Sequence, residues 1–269
     1  MQILTPSIQS LSATICHVMG IKLPLDLLEA PLEQVLAEHQ RQLGSAQIRK
    51  CLVYAPDAMG RHLYHHDREL MDSFELAAPI RVELRAVMPS VTPVCFASMF
   101  TGLAPALHGI QTYSKPVLSC QTLFDYLVQA GKRVAIVAVA ESSIDLIFRQ
   151  RPIGYFSEAD DAAVTDRALE LLKADQHDFL LVYHQDYDDA LHESGPFSER
   201  ALAAARRHAE ASHILAEGLH QHWPSHDRML VIAPDHGAHE MPDGSGDHGL
   251  EIPEDMDVDH YYGLFPARA

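Results

Sequence analysis

The sequence is poor in cysteine, and it has no apolar run long enough to span a membrane. Its 269 residues include four cysteines, and none of them forms a C-x-x-C pair. Neither a zinc finger nor a disulfide framework is therefore expected, and free thiols in a reducing compartment are the simplest interpretation. Residues 1–20 lack the basic and apolar segments of a signal peptide. We therefore expect a cytoplasmic protein with no membrane partner.

Basic residues are also scarce, which argues against another class of partner. Lysine and arginine together number 20 and aspartate and glutamate 37, so the formal net charge is −17. Such a chain lacks the positive field that attracts nucleic acid or anionic lipid, and no nucleic-acid partner is expected. Hydrophobic residues make up 47% of the sequence, which is enough to bury a large core. Part of the acidic charge can serve as metal ligands.

No internal repeat or low-complexity linker divides the chain, so residues 1–269 are interpreted as a single domain. Residues 1–48 are predicted to form an N-terminal helical extension, and residues 49–269 the core. The extension either covers an edge of the sheet or forms a contact between the subunits of a homo-oligomer. Its apolar residues at helical spacing are Leu27, Leu28, Leu32, Val35 and Leu36.

After residue 48, apolar strand-like runs alternate with helical patterns. The runs cover residues 51–55, 80–87, 133–140, 179–183 and 229–233. Helices are predicted over residues 160–174 and 198–219, and a third helix starts at a capping box of Thr122 and Asp125 and ends at Gly131. This alternation predicts an α/β fold with a mostly parallel central sheet and helices on both faces. Ligands of such sheets bind at the carboxyl ends of the strands.

The first two strand ends carry an aspartate and a hydroxyl. Asp57 follows the first run, and Gly60 permits a tight turn there. Thr92 precedes Pro93, a pattern that predicts a threonine N-cap with proline at the first helical position. A helix N-terminus favours an anion such as phosphate, so Thr92 is a candidate nucleophile. Cys95 is the alternative, but it lies a turn further along among apolar residues, which favours a core position.

The third strand end carries several acidic residues and one histidine. Asp188 and His192 are four residues apart, so on a helix they share one face and can bind one cation. Asp186 and Asp189 lie so close that spacing alone does not decide which carboxylate pairs with the histidine.

The fourth strand end carries Asp235 and His236, followed by Gly237. His248 follows in a glycine-rich loop that can fold back toward them, and His260 is a reserve candidate. Any of these histidines alone could have an ordinary structural role. Taken with the other strand ends, they form a carboxylate and imidazole set that suits Zn²⁺ or Mn²⁺ better than Mg²⁺ or Ca²⁺.

The order of these residues resembles that of the alkaline phosphatase superfamily, in particular its nucleotide pyrophosphatase/phosphodiesterase-like branch. The similar motifs are L-H-G-I at residues 107–110, H-x-x-G-P at 192–196, D-H-G at 235–237 and G-x-H-G at 246–249. The similarity runs from about residue 50 to about residue 250. It implies an alkaline-phosphatase-like core and a metallo-hydrolase that acts on a small-molecule phosphate ester, either a diester or a monoester.

The resemblance also implies the roles of individual residues. Its H-x-x-G-P motif selects Asp188 as the partner of His192. Thr92 would be the nucleophile and would form a phosphothreonine intermediate. Two divalent cations are implied, with Zn²⁺ favoured and Mn²⁺ the alternative. The implied ligands are Asp57, Thr92, Asp235 and His236 for one cation, and Asp188, His192 and His248 for the other.

Two features depart from the family pattern. Tyr113 occupies the position where the branch usually has an asparagine that binds a phosphate oxygen, and a phenol can replace one of its hydrogen bonds. The chain also lacks the length for a large cap, which disfavours the alternative of a phosphomutase. A non-catalytic metal-binding relative is the other alternative. A sulfatase is disfavoured because position 92 is threonine. Arg61 and Lys115 are further candidate phosphate contacts.

Overall fold

The computed structural model describes residues 5–23 and 29–268. Leu27 and Leu28 of the predicted N-terminal extension lie outside the described residues. The helices are α1 (Ser10–Val18), α2 (Glu33–Leu43), α3 (Arg61–His66), α4 (Arg68–Ala77), α5 (Thr92–Thr101), α6 (Pro105–His108), α7 (Leu123–Gln129), α8 (Ser143–Ile147), α9 (Asp161–Ala174), α10 (Asp186–Ser194), α11 (Glu199–His222) and α12 (Pro253–Met256). The strands are β1 (Lys50–Pro56), β2 (Ile80–Arg85), β3 (Val134–Val139), β4 (Gly154–Glu158), β5 (Phe179–His184), β6 (Arg228–Ile232), β7 (His239–Glu240), β8 (Gly246–Asp247) and β9 (Asp257–Phe265).

Seven strands form the central sheet in the order β2-β9-β6-β1-β5-β3-β4. The five strands from β6 to β4 are parallel to one another, whereas β9 is antiparallel to both of its neighbours. The predicted mostly parallel α/β fold is confirmed. The sequence patterns missed β4 and β9. Strand β4 lies half-buried at the sheet edge, and three of the first four residues of β9 are polar, namely Asp257, Asp259 and His260.

Helices cover both faces of the sheet, as predicted. Successive side chains of β1 point to opposite faces, so Val53 packs in one core and Leu52 and Tyr54 in the other. The first core includes residues of α1, α5 and α7, and the second includes residues of α4, α9 and α11. The capping box of Thr122 and Asp125 is present at the start of α7.

The N-terminal segment packs into the first core and borders the sheet. Ser12 Oγ donates to the Met99 carbonyl of α5 at 2.6 Å. The backbone of Arg85, at the end of edge strand β2, bonds to Pro6 O at 2.9 Å and to Ile8 N at 3.0 Å. Helix α2 also packs against β2 and β9. Of the two roles considered for this segment, these contacts show coverage of the sheet edge.

No helix among the described residues is both long and apolar enough to cross a membrane.

Candidate metal centre

Three neighbouring strands deliver acidic residues to one edge of the sheet. Strand β1 lies between β5 and β6 and is parallel to both, so their carboxyl ends meet at the same edge. Asp57 directly follows β1, and Asp235 follows β6 by three residues. Helix α10 begins two residues after β5 ends, and its first turn carries Asp188. The parallel pairing of these strands thus brings together the three carboxylates that were predicted from their positions after strand ends.

Glycines allow the turns after β1 and β6 to approach closely. A Cβ atom on Gly60 would lie 2.4 Å from the Cα of Gly237, and one on Gly237 would lie 2.0 Å from the backbone oxygen of Glu254. Both contacts are too short for any side chain, so the sequence needs glycine at these positions. The same approach lets the Ala58 N–H donate to Asp235 Oδ1 at 3.2 Å, which holds this carboxylate.

Thr92 lies at the start of α5, but its hydroxyl does not cap the helix. The N-cap residue is Val91, whose backbone is extended, so Thr92 is the first helical residue and Pro93 the second. The expectation that Thr92 is the N-cap is therefore wrong by one residue. Its buried Oγ1 lies 3.4 Å from His236 Nε2. Because the hydroxyl makes no capping bond, it is free to face the acidic cluster.

Three buried carboxylate oxygens have no hydrogen-bond donor: Asp57 Oδ1, Asp188 Oδ1 and Asp235 Oδ2. The other oxygen of Asp57 accepts a hydrogen bond from the Tyr183 hydroxyl, and that of Asp235 accepts the Ala58 N–H. Both carboxylates are thus held by one oxygen while the second is left without a partner. A buried carboxylate oxygen without a donor is costly, and a bound cation would satisfy it.

The three histidines of the cluster present the same ring nitrogen to these oxygens. A backbone carbonyl only accepts hydrogen bonds, so a ring nitrogen bonded to one must carry the proton, which leaves the Nε2 lone pair to face the cluster. Metal-binding histidines are typically oriented in this way. The three bonds, each 3.0 Å long, are His192 Nδ1 to Gly246 O, His236 Nδ1 to Gly237 O, and His248 Nδ1 to Ser90 O.

One group of ligand atoms is formed by Asp188, His192 and His248, all within 4.8 Å of one another. Asp188 Oδ1 lies 3.5 Å from His192 Nε2 and 3.4 Å from His248 Nε2. The two Nε2 atoms are 3.1 Å apart. Two lone pairs at this distance repel unless a proton or a cation lies between them. These residues therefore fit a cation.

A second group is formed by Asp57, Asp188 and His236, again within 4.8 Å. His236 Nε2 lies 3.5 Å from Asp57 Oδ1 and 3.2 Å from Asp235 Oδ2. Thr92 Oγ1 joins this group through its contact with the same nitrogen. Asp188 belongs to both groups, so the centre has two adjacent candidate cation positions.

The neighbouring acidic residues on α10 point elsewhere. Asp186 forms an ion pair with Arg207 at 3.0 Å, and Asp189 accepts a hydrogen bond from Gln185 Nε2 at 3.1 Å. The ambiguity left by the spacing is thereby resolved, because Asp188 alone among these three contacts His192 and His248.

Other candidates from the sequence lie outside the cluster. His260 is buried in β9 with Nε2 2.9 Å from the Pro234 carbonyl. Arg61 pairs with Asp259 at 2.8 Å rather than reaching the cluster. Cys95 is fully buried, and burial raises the pKa of its thiol well above the usual range, so it stays protonated. None of these three residues takes part in the candidate centre.

Tyr113 is 62% exposed, and the negative charges of the cluster act on its phenol. Desolvation raises the pKa of its phenol, and the charges of Asp188 and Asp57 raise it further. The phenol therefore keeps its proton at neutral pH and can donate a hydrogen bond. Lys115 lies 5.9 Å from the Tyr113 ring, while its Nζ donates to the Glu141 carbonyl at 2.9 Å.

Sequence reasoning missed Tyr183, whose hydroxyl holds Asp57 Oδ2. This residue is the penultimate residue of β5, and it looked like part of an apolar run. A tyrosine at the carboxyl end of a buried strand, where its hydroxyl needs a partner, is the signal that could have found it.

The electrostatics of the centre without a cation favour protons on two carboxylates. Burial raises the pKa of Asp235 to about 7. Burial also raises the pKa of Asp57 well above its usual range, assisted by repulsion from Asp235 and Asp188. Burial lowers the pKa of His236 well below its usual range, so this imidazole is neutral. For Asp188, burial acts to raise the pKa, but the close approach of His248 outweighs it and the pKa is lowered.

These shifts predict how the stability of metal-free protein depends on pH. An ordinary aspartate titrates at 3.8, whereas folded Asp235 titrates at about 7. Between these values the folded state keeps a proton that the unfolded state has released. The stability contributed by Asp235 is therefore fully present below pH 3.8 and is lost as the pH rises to about 7. Zinc binds the ionised carboxylate, so we expect it to raise Tm more at pH 8 than at pH 5.

The measurement is thermal unfolding of chelator-treated protein from pH 4 to pH 8, with and without Zn²⁺. Asp235→Asn is the control, since an amide does not titrate. The Tm of metal-free wild type, taken relative to this variant, should fall across the range. A relative Tm that rises with pH would contradict the assignment.

The protein thus has a mostly parallel α/β fold. Carboxylates, imidazoles and the hydroxyl of Thr92 lie together at the carboxyl edge of its sheet and form a candidate two-cation centre. The model of the type I phosphodiesterase / nucleotide pyrophosphatase family matches residues 57–261, which is more than half of the chain. The chain therefore belongs to this family, and the resemblance deduced from the motifs is confirmed.

Solved structures of this kind share the fold at low sequence identity. Murine ectonucleotide pyrophosphatase/phosphodiesterase 5, an inactive variant in complex with AMP, has a TM-score of 0.58 and 16% identity over 71% of this chain and 58% of its own. The human protein of the same name has a TM-score of 0.56 and 18% identity over 72% and 58%. Phosphonoacetate hydrolase from Sinorhizobium meliloti, in complex with phosphonoformate, has a TM-score of 0.55 and 18% identity over 74% and 60%.

The chain thus spans about three fifths of the length of these proteins. Comparison with curated protein sequences found no significant match.

Proposed function

We propose that this protein is a metal-dependent hydrolase of small-molecule phosphate esters, with Thr92 as the nucleophile. The observation that carries the proposal is the free hydroxyl of Thr92, 3.4 Å from His236 Nε2, beside carboxylate oxygens that lack donors. Membership in a phosphodiesterase family supports the reaction class. A hydroxyl that served only the helix would form a capping bond, and this one does not.

The proposed ligands follow the two groups of the centre. The cations would be Zn²⁺, with Mn²⁺ as the alternative, because both accept mixed carboxylate and imidazole ligands. When bound, such cations stabilise negative charge on the attacking and leaving oxygens. The ligands are Asp57, Thr92, Asp235 and His236 at one position, and Asp188, His192 and His248 at the other.

Thr92 Oγ1 would attack phosphorus in line with the ester oxygen. A bond forms between Oγ1 and phosphorus as the ester P–O bond breaks, and the proton lost from Oγ1 ends on the oxygen of the leaving alcohol. Water then cleaves the phosphothreonine, which restores the hydroxyl and releases the phosphoryl product. The neutral imidazole of His236 keeps Oγ1 facing the centre.

The start of α5 contributes mainly its dipole to phosphate binding. Pro93 has no N–H, and the N–H groups of Val94 and Cys95 both donate to Val91 O at 3.0 Å. Few free N–H groups therefore remain at this helix start to bind an anion. We propose that Tyr113 supplies a hydrogen bond to a phosphoryl oxygen, since its phenol stays protonated beside the acidic cluster.

The site is suited to small esters because no large segment covers it in the described chain. Residues 233–256, between β6 and β9, contain β7, β8 and α12. This argues against a phosphomutase, which needs a cap to hold its intermediate. A non-catalytic metal-binding protein is the second candidate, and Tyr113 at the usual asparagine position is the observation that favours it.

A panel of p-nitrophenyl esters tests the proposal. Chelator-treated protein is supplied with Zn²⁺ or Mn²⁺ and assayed with bis-(p-nitrophenyl) phosphate and with p-nitrophenyl phosphate. We expect release of p-nitrophenol that chelator abolishes and metal restores, and the ratio of the two rates gives the preference for diester or monoester. If tightly bound metal is accompanied by no turnover of any ester, the non-catalytic candidate is correct.

A further inference from the structure

A second buried cluster of acidic and imidazole side chains lies on the opposite face of β5. It consists of Asp161 at the start of α9, His184 at the end of β5 and His208 in α11. All three are buried, and their ligand atoms lie within 4.8 Å of one another. Successive strand residues point to opposite faces, so Tyr183 contacts Asp57 while His184 points to this cluster.

The hydrogen bonds of His184 leave a lone pair facing Asp161. Thr165 Oγ1 donates its proton to the Asp161 carbonyl at 3.1 Å, so it accepts a hydrogen bond from His184 Nε2, also at 3.1 Å. The Tyr54 hydroxyl lies 3.1 Å from His184 Nδ1 and 3.2 Å from the His208 carbonyl, so it can donate its single proton to the carbonyl and leave Nδ1 available to a cation. His184 Nδ1 is then unprotonated, and it lies 3.9 Å from Asp161 Oδ2. A lone pair and a carboxylate oxygen with no proton between them are suited to a cation.

His208 supplies the third donor. Its Nε2 lies 2.9 Å from Asp161 Oδ2, and its Nδ1 is buried with no hydrogen-bond partner. The side chain is fully buried, and it lines a cavity of about 300 Å³ together with Asp161 and His184. A cation bound to Nε2 would place the ring proton on Nδ1, and water in the adjoining cavity can accept it.

The charge of the cavity wall favours a cation. Its ionisable side chains besides the histidines are Asp161, Asp166, Asp186, Glu210 and Arg207. Four carboxylates and one guanidinium thus line the cavity, so its wall carries a net negative charge.

We propose that Asp161, His184 and His208 form a third cation site, separate from the two-cation centre, that binds Zn²⁺. Two imidazoles and a carboxylate are a ligand set typical of zinc, and the cavity has room for water as the fourth ligand. Ligand atoms around tetrahedral zinc lie about 3.4 Å apart, so the distance from Asp161 Oδ2 to His184 Nδ1, 3.9 Å, would shorten slightly and that to His208 Nε2, 2.9 Å, would lengthen slightly.

This site would be structural, because it anchors the helix that carries part of the two-cation centre. The carboxylate of Asp161 accepts the backbone N–H of Gln185 and that of Asp186, each at 3.0 Å. These residues precede and begin α10, which bears Asp188 and His192. Zinc bound to Asp161 would fix α9, β5, α10 and α11 relative to one another.

Counting zinc in the full-length chain tests the site. Protein is stripped with chelator, dialysed against Zn²⁺ and then against buffer, and analysed by mass spectrometry of the metal. We expect about three zinc ions per chain in wild type and the loss of one in His208→Gln. His213→Gln is the matched control, since the same residue type lies on the same helix outside the cluster, and it should keep all three. Equal zinc content in the two variants would overturn the proposal.

A second measurement separates this site from the two-cation centre and from misfolding. The double variant Asp57→Asn/Asp188→Asn removes one ligand from each position of that centre and should still hold one zinc. Replacing this zinc by Co²⁺ should give the visible absorption of four-coordinate cobalt, and adding the nearly isosteric Asp161→Asn should abolish it. Far-UV circular dichroism checks that each variant is folded. A folded double variant without metal or cobalt absorption refutes the third site, whatever its effect on hydrolysis.

Discussion

Replacing Thr92 by alanine is expected to lower kcat/KM for ester hydrolysis by at least ~10³-fold. The reason is that the variant lacks the oxygen that would bond to phosphorus, while the helix that carries it is unchanged. Thr92 Oγ1 makes no capping bond, so its loss should leave Tm nearly unaltered. Zinc content should also persist, because Asp57, Asp235 and His236 remain.

Two variants of the same helix serve as controls. Thr92→Ser keeps a hydroxyl and should retain a substantial part of the activity. Cys95→Ala removes the other candidate nucleophile and should leave turnover close to that of wild type, since this thiol is buried and stays protonated. Undiminished turnover in Thr92→Ala, or a comparable loss in Cys95→Ala, would reject the assignment of the nucleophile.

Replacing Asp188 by asparagine should weaken zinc binding at the two-cation centre by at least ~10²-fold and reduce turnover by more. Asp188 is a proposed ligand at one cation position and also lies within 4.8 Å of Asp57 and His236 at the other, and its Oδ1 is buried without a hydrogen-bond donor. The substitution removes the negative charge that faces His192 and His248 and leaves the side chain nearly the same size. Isothermal titration with Zn²⁺ gives the affinities, and the ester assay gives the turnover.

The adjacent residue provides a stringent comparison. Asp189→Asn makes the same chemical change one position along α10, where the carboxylate accepts a hydrogen bond from Gln185 and points away from the cluster. We expect wild-type zinc affinity and activity from it. If the two variants have the same zinc affinity and the same turnover, Asp188 is not a metal ligand and the assignment from the motif is wrong.

Much of the candidate centre could be predicted because its residues follow buried strands. Parallel strands end at one edge, so Asp57 and Asp235 were expected to meet, and the motif around His192 selected Asp188 before any geometry was known. The helix start at Thr92 was predicted one residue late, since the extended backbone of Val91 takes the N-cap position. Propensity does not settle helix ends to one residue.

Other features could not be predicted, because they depend on partners distant in the chain. Strand β9 starts with a polar sequence, and it forms because β2 and β6 provide hydrogen-bonding edges on either side. His260 was a reserve candidate for a metal ligand. It lies in β9, however, where its side chain is buried and its Nε2 contacts the Pro234 carbonyl. Local pattern carries no information about such neighbours.

By itself, the sequence determined the fold class, the edge of the sheet where function resides, and the residue types available there, because apolar periodicity and strand-end chemistry are local properties. Only the tertiary structure decided which atoms face each other. Tyr183 and His184 are adjacent in the chain, yet the first holds Asp57 and the second joins Asp161 and His208 behind the sheet. A strand turns consecutive side chains to opposite faces, and what they meet there is brought by helices far away in sequence.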